Sequence, residues 1–451
     1  MPEPTIRRLN FRAPWVIFWV GFALRMACIL IGHTYRIRTT HDHWEYGFEA
    51  GRIARSLVLG RGYSSPFNGP SGPTAWLPPL YPLLMALGFR LFGVYTNAAA
   101  IFIMACNSAL SAAIAPALYE IAARCFDAYG IARRASTKAA PMALWSAWLW
   151  AVYPAALQFA IHWLWEMSLT ACLFTWALVF CLRLRHIGEP EEVAPRPGRD
   201  FVLWAVFGLL WGLTALSNAS LVLCLPVWIL WILWPQKNQQ SHHPLMQSVA
   251  GAALACIVIV ATMMPWIVRN ERAFHAFVPT RSNFGVELWQ SSLPSHDAFP
   301  WGATVPLWSG DPDFKLYAKM GELNYAKMRG AQAKATLRAH PDVFLRHTLQ
   351  RIQFFWFGVP HTEQKHRSEE VGRIFSYSFL SVAGLLGLAL ALKRRVPGAW
   401  LMASVLLLTP LVYYMVVIQA RFRHPIEPII AVLSVYLFRS TTPRKAVANP
   451  I

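Results

Sequence analysis

The sequence predicts an all-α polytopic membrane protein with about ten transmembrane helices, and three observations carry that expectation. The chain is 56% hydrophobic, with a mean hydropathy of +0.37. Only 14% of its 451 residues are charged, against roughly 25% in soluble domains that must cover a water-facing surface. Apolar stretches near the ~20 residues that a span needs recur along its length. Disorder is excluded by the 14% aromatic content. The net charge of +19, from 41 Lys and Arg against 22 Asp and Glu, would suit a nucleic-acid binder. Such a protein would not carry uncharged runs such as Phe201 to Trp234, so nucleic acid is not an expected partner.

The spans are expected at about 15–33, 98–123, 142–163, 165–182, 201–216, 219–234, 247–268, 372–392, 398–417 and 426–438. The first, Trp15 to Gly32, follows a basic N-terminus but contains Arg25 and lacks a small-residue cleavage site. It reads as a retained span and not as a signal peptide. The stretch 80–95 is apolar but short, follows Pro78-Pro79 and includes Pro82 and Arg90. Basic residues decide its status. They cluster at Arg7, Arg8 and Arg12; Arg124, Arg133, Arg134 and Lys138; Arg183, Arg185, Arg196 and Arg199; Lys237; Lys393, Arg394 and Arg395; and Arg439, Arg444 and Lys445. All six groups fall on one side only if 80–95 does not cross. It is therefore read as an interfacial helix on the outer face. By the positive-inside rule both termini then lie in the cytoplasm. The expected location is a plasma (bacterial inner) membrane, the bacterial part being implied by a family resemblance in the sequence.

The chain thus divides into an N-terminal transmembrane module (1–268) that includes a first outer loop (33–97), a large, partly helical extracytoplasmic loop (269–371), and C-terminal transmembrane helices (372–451). The large loop reads as irregular to about Pro312, then as helices over about 313–339 and 342–357, broken at His340-Pro341-Asp342. Loops of this length usually carry function. No internal repeat supports an inverted-repeat transporter. The seven cysteines lie in or beside apolar stretches without CxxC spacing, so no disulfide framework or zinc site is expected.

The first outer loop holds the strongest local signal, His41 to Leu57. Wound as a helix, it places Asp42, Glu45, Glu49, Arg52 and Ser56 within about 80° of one another. Tyr46, Ala50, Ile53 and Leu57 form an adjacent apolar stripe. The expectation is an amphipathic helix on the membrane surface whose polar edge sets carboxylates beside a guanidinium. A carboxylate there can deprotonate an acceptor hydroxyl, and an arginine can hold a departing phosphate. On periodicity alone the alternative is an ordinary interfacial helix whose Glu–Arg pairs only add solubility. Gly60-Arg61-Gly62-Tyr63 and the Pro-rich run to Pro82 follow, enforcing a fixed irregular path. They lack the GK[ST] ending of a phosphate-cradling loop.

Other polar residues sit near outer span ends. His162 and Glu166 are too few for a metal site and suit a polar turn. Asn218 suits a helix cap. Arg25 is either paired inside the bundle or snorkelling outward. Arg421 and Arg423, beside His424, run against the charge bias that orients the rest, as do Arg269 and Arg281. Such exceptions ask for an anionic partner or serve as interfacial anchors. No clear ligand cluster calls for a cofactor. A divalent metal is not required: His33, His41 and His43 near Asp42 are a set that would suit one, but two histidines flanking an aspartate are more often plain polar loop residues.

The order of these pieces resembles a known family. It comprises a span, an outer helix with acidic residues, GxGY, Pro78-Pro79-Leu80-Tyr81-Pro82, Phe89-Arg90-Leu91-Phe92-Gly93, further spans, a large outer loop, and Arg421-Phe422-Arg423-His424-Pro425. It is similar to the membrane-integral GT-C glycosyltransferases, specifically the protein O-mannosyltransferase and aminoarabinose transferase group. The stretches Glu49 to Leu57, Gly72 to Trp76 and Arg281 to Trp289 resemble a bacterial subset. The resemblance implies a GT-C-like helical bundle and a hexosyl- or pentosyltransferase. It implies a polyprenyl-phosphate sugar donor, a lipid, glycan or protein acceptor, inverting transfer on the outer face, and a carboxylate base in the first outer loop. The family's adjacent Asp-Glu pair is replaced here by the separated Asp42, Glu45 and Glu49, with Glu49 the first candidate base, Asp42 the second and Glu45 the third. Arg421 and Arg423, then Arg52 and Arg55, match the phosphate-contacting role. Tyr63, Pro79, Tyr81, His424 and Glu166 are candidates for shaping the substrate. A flippase for a lipid-linked saccharide and a non-catalytic scaffold are the alternative readings. The near absence of Asp, Glu and Lys within spans speaks against ion-coupled transport.

Overall fold

The computed structural model describes residues 13–37, 46–131, 142–189, 197–234, 245–293, 298, 309–359 and 367–440. Among them the chain is helical, apart from irregular segments and one isolated bridge between Ser64 and Pro73. The first helix, α1 (Pro14–Ile31), opens with proline at its first turn. There the missing N–H costs nothing. Its buried residues are Ile17, Gly21, Arg25 and Ile29, four apart, so a single stripe faces the protein. Trp15, Trp19 and Ile31 point outward.

The segment that follows, expected on the outer face, forms α2 (Glu49–Val58) and α3 (Leu80–Phe92). Next come α4 (Asn97–Ala112) and α5 (Ile114–Ala122), which run on through a π-helical turn (Ala123–Ile131). The pair α6 (Met142–Val152) and α7 (Pro154–Ile161) precedes α8 (Met167–Leu184). Then follow α9 (Pro197–Ala215), a 3-10 turn (Ala219–Leu223) leading into α10 (Cys224–Leu233), and α11 (Leu245–Phe274). Five helical stretches are long and apolar enough to cross a membrane: Pro14–Ile31, Asn97–Asp127, Met167–Leu184, Met246–Phe274 and Val371–Lys393. The third is buried on nearly every side and forms the centre of the bundle. The first and fourth lie at its edge.

The expected single span at 142–163 is instead a pair bent by 44°. Pro154 has no N–H to give Trp150, so the last carbonyls of α6 need other donors. Arg25 supplies them: Nη1 donates to Ala151 O at 3.0 Å and Nη2 to Trp150 O at 3.4 Å. Arg25 is therefore paired within the bundle and does not snorkel.

The large outer segment contains α12 (Phe284–Ser292), α13 (Pro312–Met320), α14 (Glu322–Ala339) and α15 (Pro341–Phe357). Two expectations are corrected here. Residues 284–292 are helical where the sequence read as loop. The expected helix over 313–339 is broken at Gly321, whose φ of 76° is left-handed. The chain closes with α16 (Arg367–Lys393), α17 (Ala399–Leu408), α18 (Pro410–Met415), a 3-10 turn (Ala420–Ile426) and α19 (Glu427–Ser440). Helices α16 and α19 pack backbone to backbone. A Cβ on Gly387 would collide with the Leu433 carbonyl, so only glycine permits this approach.

Helix α3 rises about 20 Å over its 13 residues, short of the ~30 Å hydrocarbon core. It buries Tyr81, Met85 and Phe89 and exposes Leu83, Leu87 and Leu91, a second stripe four apart.

Candidate active site

The expected surface helix over 41–57 is corrected by the structure. Asp42, Glu45, His41 and His43 lie outside the described residues. The helix starts only at Glu49, because Gly47 (φ 85°) and Phe48 (φ 46°) turn the chain sharply before it. A Cβ at Gly47 would strike Leu164 O and the Met85 side chain, so this turn is wedged between α3 and the start of α8. Helix α2 is also not a surface element: Ala50, Gly51, Arg52, Ile53, Ala54 and Ser56 are all buried.

Glu49 occupies the first turn of α2, where the helix dipole favours an anion. It is half-buried by surface but densely surrounded by protein. Lost hydration pushes its carboxyl up to about 7, with the nearby Glu287 adding to the rise. The charge of Arg421 opposes that shift most strongly and Arg281 less so. The segments that carry α2 and α12 and the C-terminal 3-10 turn thus bear on one carboxylate.

Arg421 lies in the 3-10 turn before α19. Its guanidinium stacks 4.0 Å over the Trp165 ring, and Trp165 stacks on Trp163 at 4.5 Å. The Arg421 Nε has no hydrogen-bond partner among the described residues. Arg423, two residues on, is fully buried. It donates to Glu427 Oε1 at 2.8 Å and to Ser381 Oγ at 2.5 Å, and its guanidinium lies over the Tyr377 ring. His424 Nδ1 donates to Glu427 Oε2 at 2.7 Å, and its ring lies between those of Trp150 and Phe159. The proposed anion-binding pair is therefore split. Arg421 faces the Glu49 region, while Arg423 and His424 satisfy a buried carboxylate inside the bundle.

Arg52 donates to Pro66 O at 3.2 Å and stacks on Phe48, turning toward the following loop. Arg55 lies 5.8 Å from the centre of the Tyr95 ring. Tyr63 is buried in the same loop and donates to Leu77 O at 2.9 Å. Its ring meets Trp266 edge-on, and Arg269 reaches its carbonyl. Pro79 stands at the N-cap of α3, and the Tyr81 hydroxyl accepts from Asn107 at 2.9 Å. Glu166 stands at the N-cap of α8, where its charge reaches both Tyr81 and Tyr413. Asn218 caps the 3-10 turn before α10, accepting from Ser220 N at 3.1 Å. His33 bonds the Tyr35 hydroxyl at 3.1 Å. Among the described residues no group of three or more His, Cys, Asp or Glu converges to hold a metal ion.

Two carboxylates escaped the sequence reading. Glu322, at the start of α14, accepts from Ala75 N at 2.6 Å, Ser282 Oγ at 2.5 Å, Tyr317 OH at 2.7 Å and Thr74 Oγ1. It ties the two outer segments together. Burial pushes its carboxyl upward, against these donors. Glu287, on α12, accepts from Asn283 Nδ2 at 3.0 Å and lies 3.5 Å from Arg281, which in turn donates to Asn283 Oδ1 at 2.6 Å. Burial raises its carboxyl too, opposed by Arg281 and then Arg421. A helix break at Gly321 would have pointed to Glu322. Glu287 had a nearer signal, since it falls inside the family-like stretch from Arg281 to Trp289.

No model of a known protein family matches the sequence, and neither does any curated protein. Solved structures do match. The oligosaccharyltransferase AglB of Archaeoglobus fulgidus, solved with an inhibitory peptide and a dolichol-phosphate, aligns over 94% of this chain at 12% identity and a TM-score of 0.51. The same archaeal enzyme tethered to an acceptor peptide aligns over 94% at 13% identity, again with a TM-score of 0.51. This chain spans about half the length of those proteins, 50% and 49% respectively. ArnT of Cupriavidus metallidurans, solved with undecaprenyl phosphate, aligns over 93% of this chain and 77% of its own at 15% identity, with a TM-score of 0.37. The two AglB matches show that this chain shares the fold of that oligosaccharyltransferase, and with its apolar helices they mark it as a multi-pass membrane protein.

Proposed function

We propose that this protein is a glycosyltransferase that moves a sugar from a polyprenyl-phosphate donor to an acceptor on the extracytoplasmic face, with inversion. The observation that carries the proposal is Glu49: a dehydrated carboxylate on an outer helix, with Arg421 as its strongest opposing charge. In the reaction, the acceptor's hydroxyl or amine attacks the anomeric carbon from the face opposite the phosphate. Glu49 takes its proton. The carbon–oxygen bond to phosphate breaks and the lipid phosphate leaves with the electron pair. Arg421, with an unsatisfied Nε and a stacked guanidinium, balances the charge that develops on it. Attack opposite the leaving group inverts the anomeric centre. AglB, with which the fold is shared, binds a dolichol-phosphate, in keeping with a lipid-phosphate donor here.

The proposal includes about ten spans with both termini cytoplasmic, in a plasma membrane. Five helical stretches long and apolar enough to cross a membrane support the part of that arrangement they cover. The test is Glu49→Gln, expressed in cells whose lipid, glycan and protein fractions are compared by mass spectrometry with wild-type and gene-deleted cells. The amide keeps the size of the side chain but cannot take a proton. Product is expected to fall at least about a hundredfold while the protein still inserts and purifies as a single species. Full product from Glu49→Gln, and from the corresponding amide variants at Asp42 and Glu45, overturns the mechanism.

A further inference from the structure

Helices α13 and α14 carry a face that the proposed reaction does not use. Helix α14 turns Glu322, Tyr325, Ala326, Arg329 and Ala333 inward. It packs on α12, where the Ala326 carbonyl comes too close to Gly285 for any Cβ there. The opposite side of α14 carries Lys327, Lys334 and Arg338, all exposed. At 100° per residue these three fall within about 40° of one another and span about 16 Å of helix. Helix α13 adds exposed Lys315 and Lys319, one turn apart. A shallow open depression of about 440 Å³ joins the two helices, lined by Met320 of α13 and by Asn324, Lys327, Met328 and Ala331 of α14.

The charges of this segment are sorted by sign. Asp313 is paired with Arg329, and Glu322 is taken up by four donors. Asp311 and Asp342 stand at the N-terminal ends of α13 and α15, where the helix dipole favours an anion. None of the five exposed cations has a hydrogen bond or ion pair among the described residues. A surface that serves solubility alone intersperses both signs. The face also lacks anchors. No large apolar side chain is exposed within 309–339, so it offers neither the buried anchor on which a protein interface is built nor side chains to insert into a bilayer.

We propose that this face binds a linear polyanion, an acidic glycan whose carboxylates or phosphates follow the stripe from Lys327 to Arg338. The cations of the stripe are about 10 and 6 Å apart along the helix axis, so a flexible chain can meet them one after another. The depression beside Lys327 gives one sugar ring an apolar floor of Met320, Met328 and Ala331. The charges carry the affinity, and each contact releases counterions, which makes binding steep in salt.

The test uses the detergent-purified full-length protein and fluorescent polygalacturonate, a linear polymer with a carboxylate on every sugar. Wild type is compared with a triple variant of the stripe, Lys327→Gln, Lys334→Gln and Arg338→Gln. The control removes the same charge from three exposed residues of the segment expected in the cytoplasm, Lys393→Gln, Arg394→Gln and Arg395→Gln. Wild-type affinity is expected to fall about a hundredfold as salt rises from about 50 to about 200 mM. At the lower salt the stripe variant should bind about a hundredfold more weakly, or about fivefold for each cation, and the control should match wild type. Exchanging the cations, with Lys327→Arg, Lys334→Arg and Arg338→Lys, should preserve binding.

Absent binding by the wild type overturns the proposal, as does undiminished binding by the stripe variant. Equal losses in the two triple variants overturn it too, because the polymer would then sense net charge and not this face. Capture of vesicles of anionic phospholipid in place of the polymer, lost in the stripe variant, also overturns it and assigns the face to a membrane. The stripe variant should melt with the wild type; if it does not fold, Lys334→Gln alone decides, with about a fivefold loss expected and wild-type binding overturning the proposal. Sugar transfer is not read at any step, so the outcome is independent of the function proposed above.

Discussion

Where α5 and α8 finish, Glu120 accepts from Arg124 at 2.8 Å and from Arg183 at 2.7 Å. Arg124 also reaches Ile187 O and Glu189. His186 pairs with Glu189 at 2.9 Å. Every charge in this network is answered at contact distance by another. At the opposite end of the same helices, Glu49 makes no ion pair among the described residues, and the charges of Arg421, Arg281 and Glu287 act on it through space. The first arrangement is what a polypeptide adopts when charge serves only to close a structure. The second holds charge in a state that costs stability, which becomes useful when a substrate supplies the missing partners. The contrast recurs within three residues of the C-terminal turn, where Arg423 is fully satisfied and Arg421 is not.

That local contrast gives the largest expected effects. Arg423→Ala removes the partner of a buried carboxylate, leaving Glu427 with His424 alone, and should cost about 3–5 kcal/mol. The measurement is the thermal melt of the detergent-purified protein, where poor yield or a strongly lowered Tm is expected. Arg421→Ala should leave the melt within a degree or two of wild type and abolish product. Equal melts for the two variants would erase the distinction between satisfied and unsatisfied charge. Next in size is Glu322→Gln. An amide in its place presents one acceptor oxygen to four donors, so at least one buried donor goes unpaired, at about 1–3 kcal/mol. The joint between Thr74 and the start of α14 should loosen, read as faster proteolysis within 309–321. Protection equal to wild type would mean that Glu322 is not what joins the outer segments.

The pH dependence follows from Glu49. Only the ionised carboxylate can accept a proton, and its carboxyl is held up to about 7. Transfer should therefore rise about tenfold per pH unit below 7 and level off above it. An acid limb near the ordinary carboxylate value of about 4.3 would show that Glu49 is not the base, or that it is as well hydrated as a surface carboxylate.

The helical fold was legible because the lipid-facing requirement writes itself into composition. Stripes such as Leu83, Leu87 and Leu91 leave no alternative to a helix with an apolar exterior. Arg421 was legible as a basic residue standing where the charge bias forbids it, and Glu49 by its spacing from Arg52 and its place in the family-like stretch Glu49 to Leu57. What escaped was pairing in space. Arg423 has the same sequence signature as Arg421, and only the fold shows that Glu427, one helical turn away, claims it. The run from Asp42 to Arg52 has helical spacing, but Gly47 and Phe48 adopt positive φ and end the periodicity. Helix α12 was missed because nine residues of mixed character, flanked by Asn283 and Pro294, carry too little periodicity to register. Its stability comes from packing against α14 and from Arg351.

The smallest expected effect probes the closed network. In Glu120→Gln the amide oxygen still accepts one hydrogen bond, from Arg183 or Arg124, while the ion pairs are lost. The side chains are partly exposed, Glu120 by 20% and Arg183 by 28%. Water therefore screens the pairs, and Arg124 keeps Ile187 O and Glu189 as partners. The loss should be about 1 kcal/mol or less, a shift of a few degrees in the melt at low salt that shrinks as salt is raised. Product should be unchanged, because nothing at this end bears on Glu49. A loss of product without a loss of stability would mean that the two ends are coupled through α5 and α8. The charge network would then belong to the catalytic cycle as well as to the scaffold.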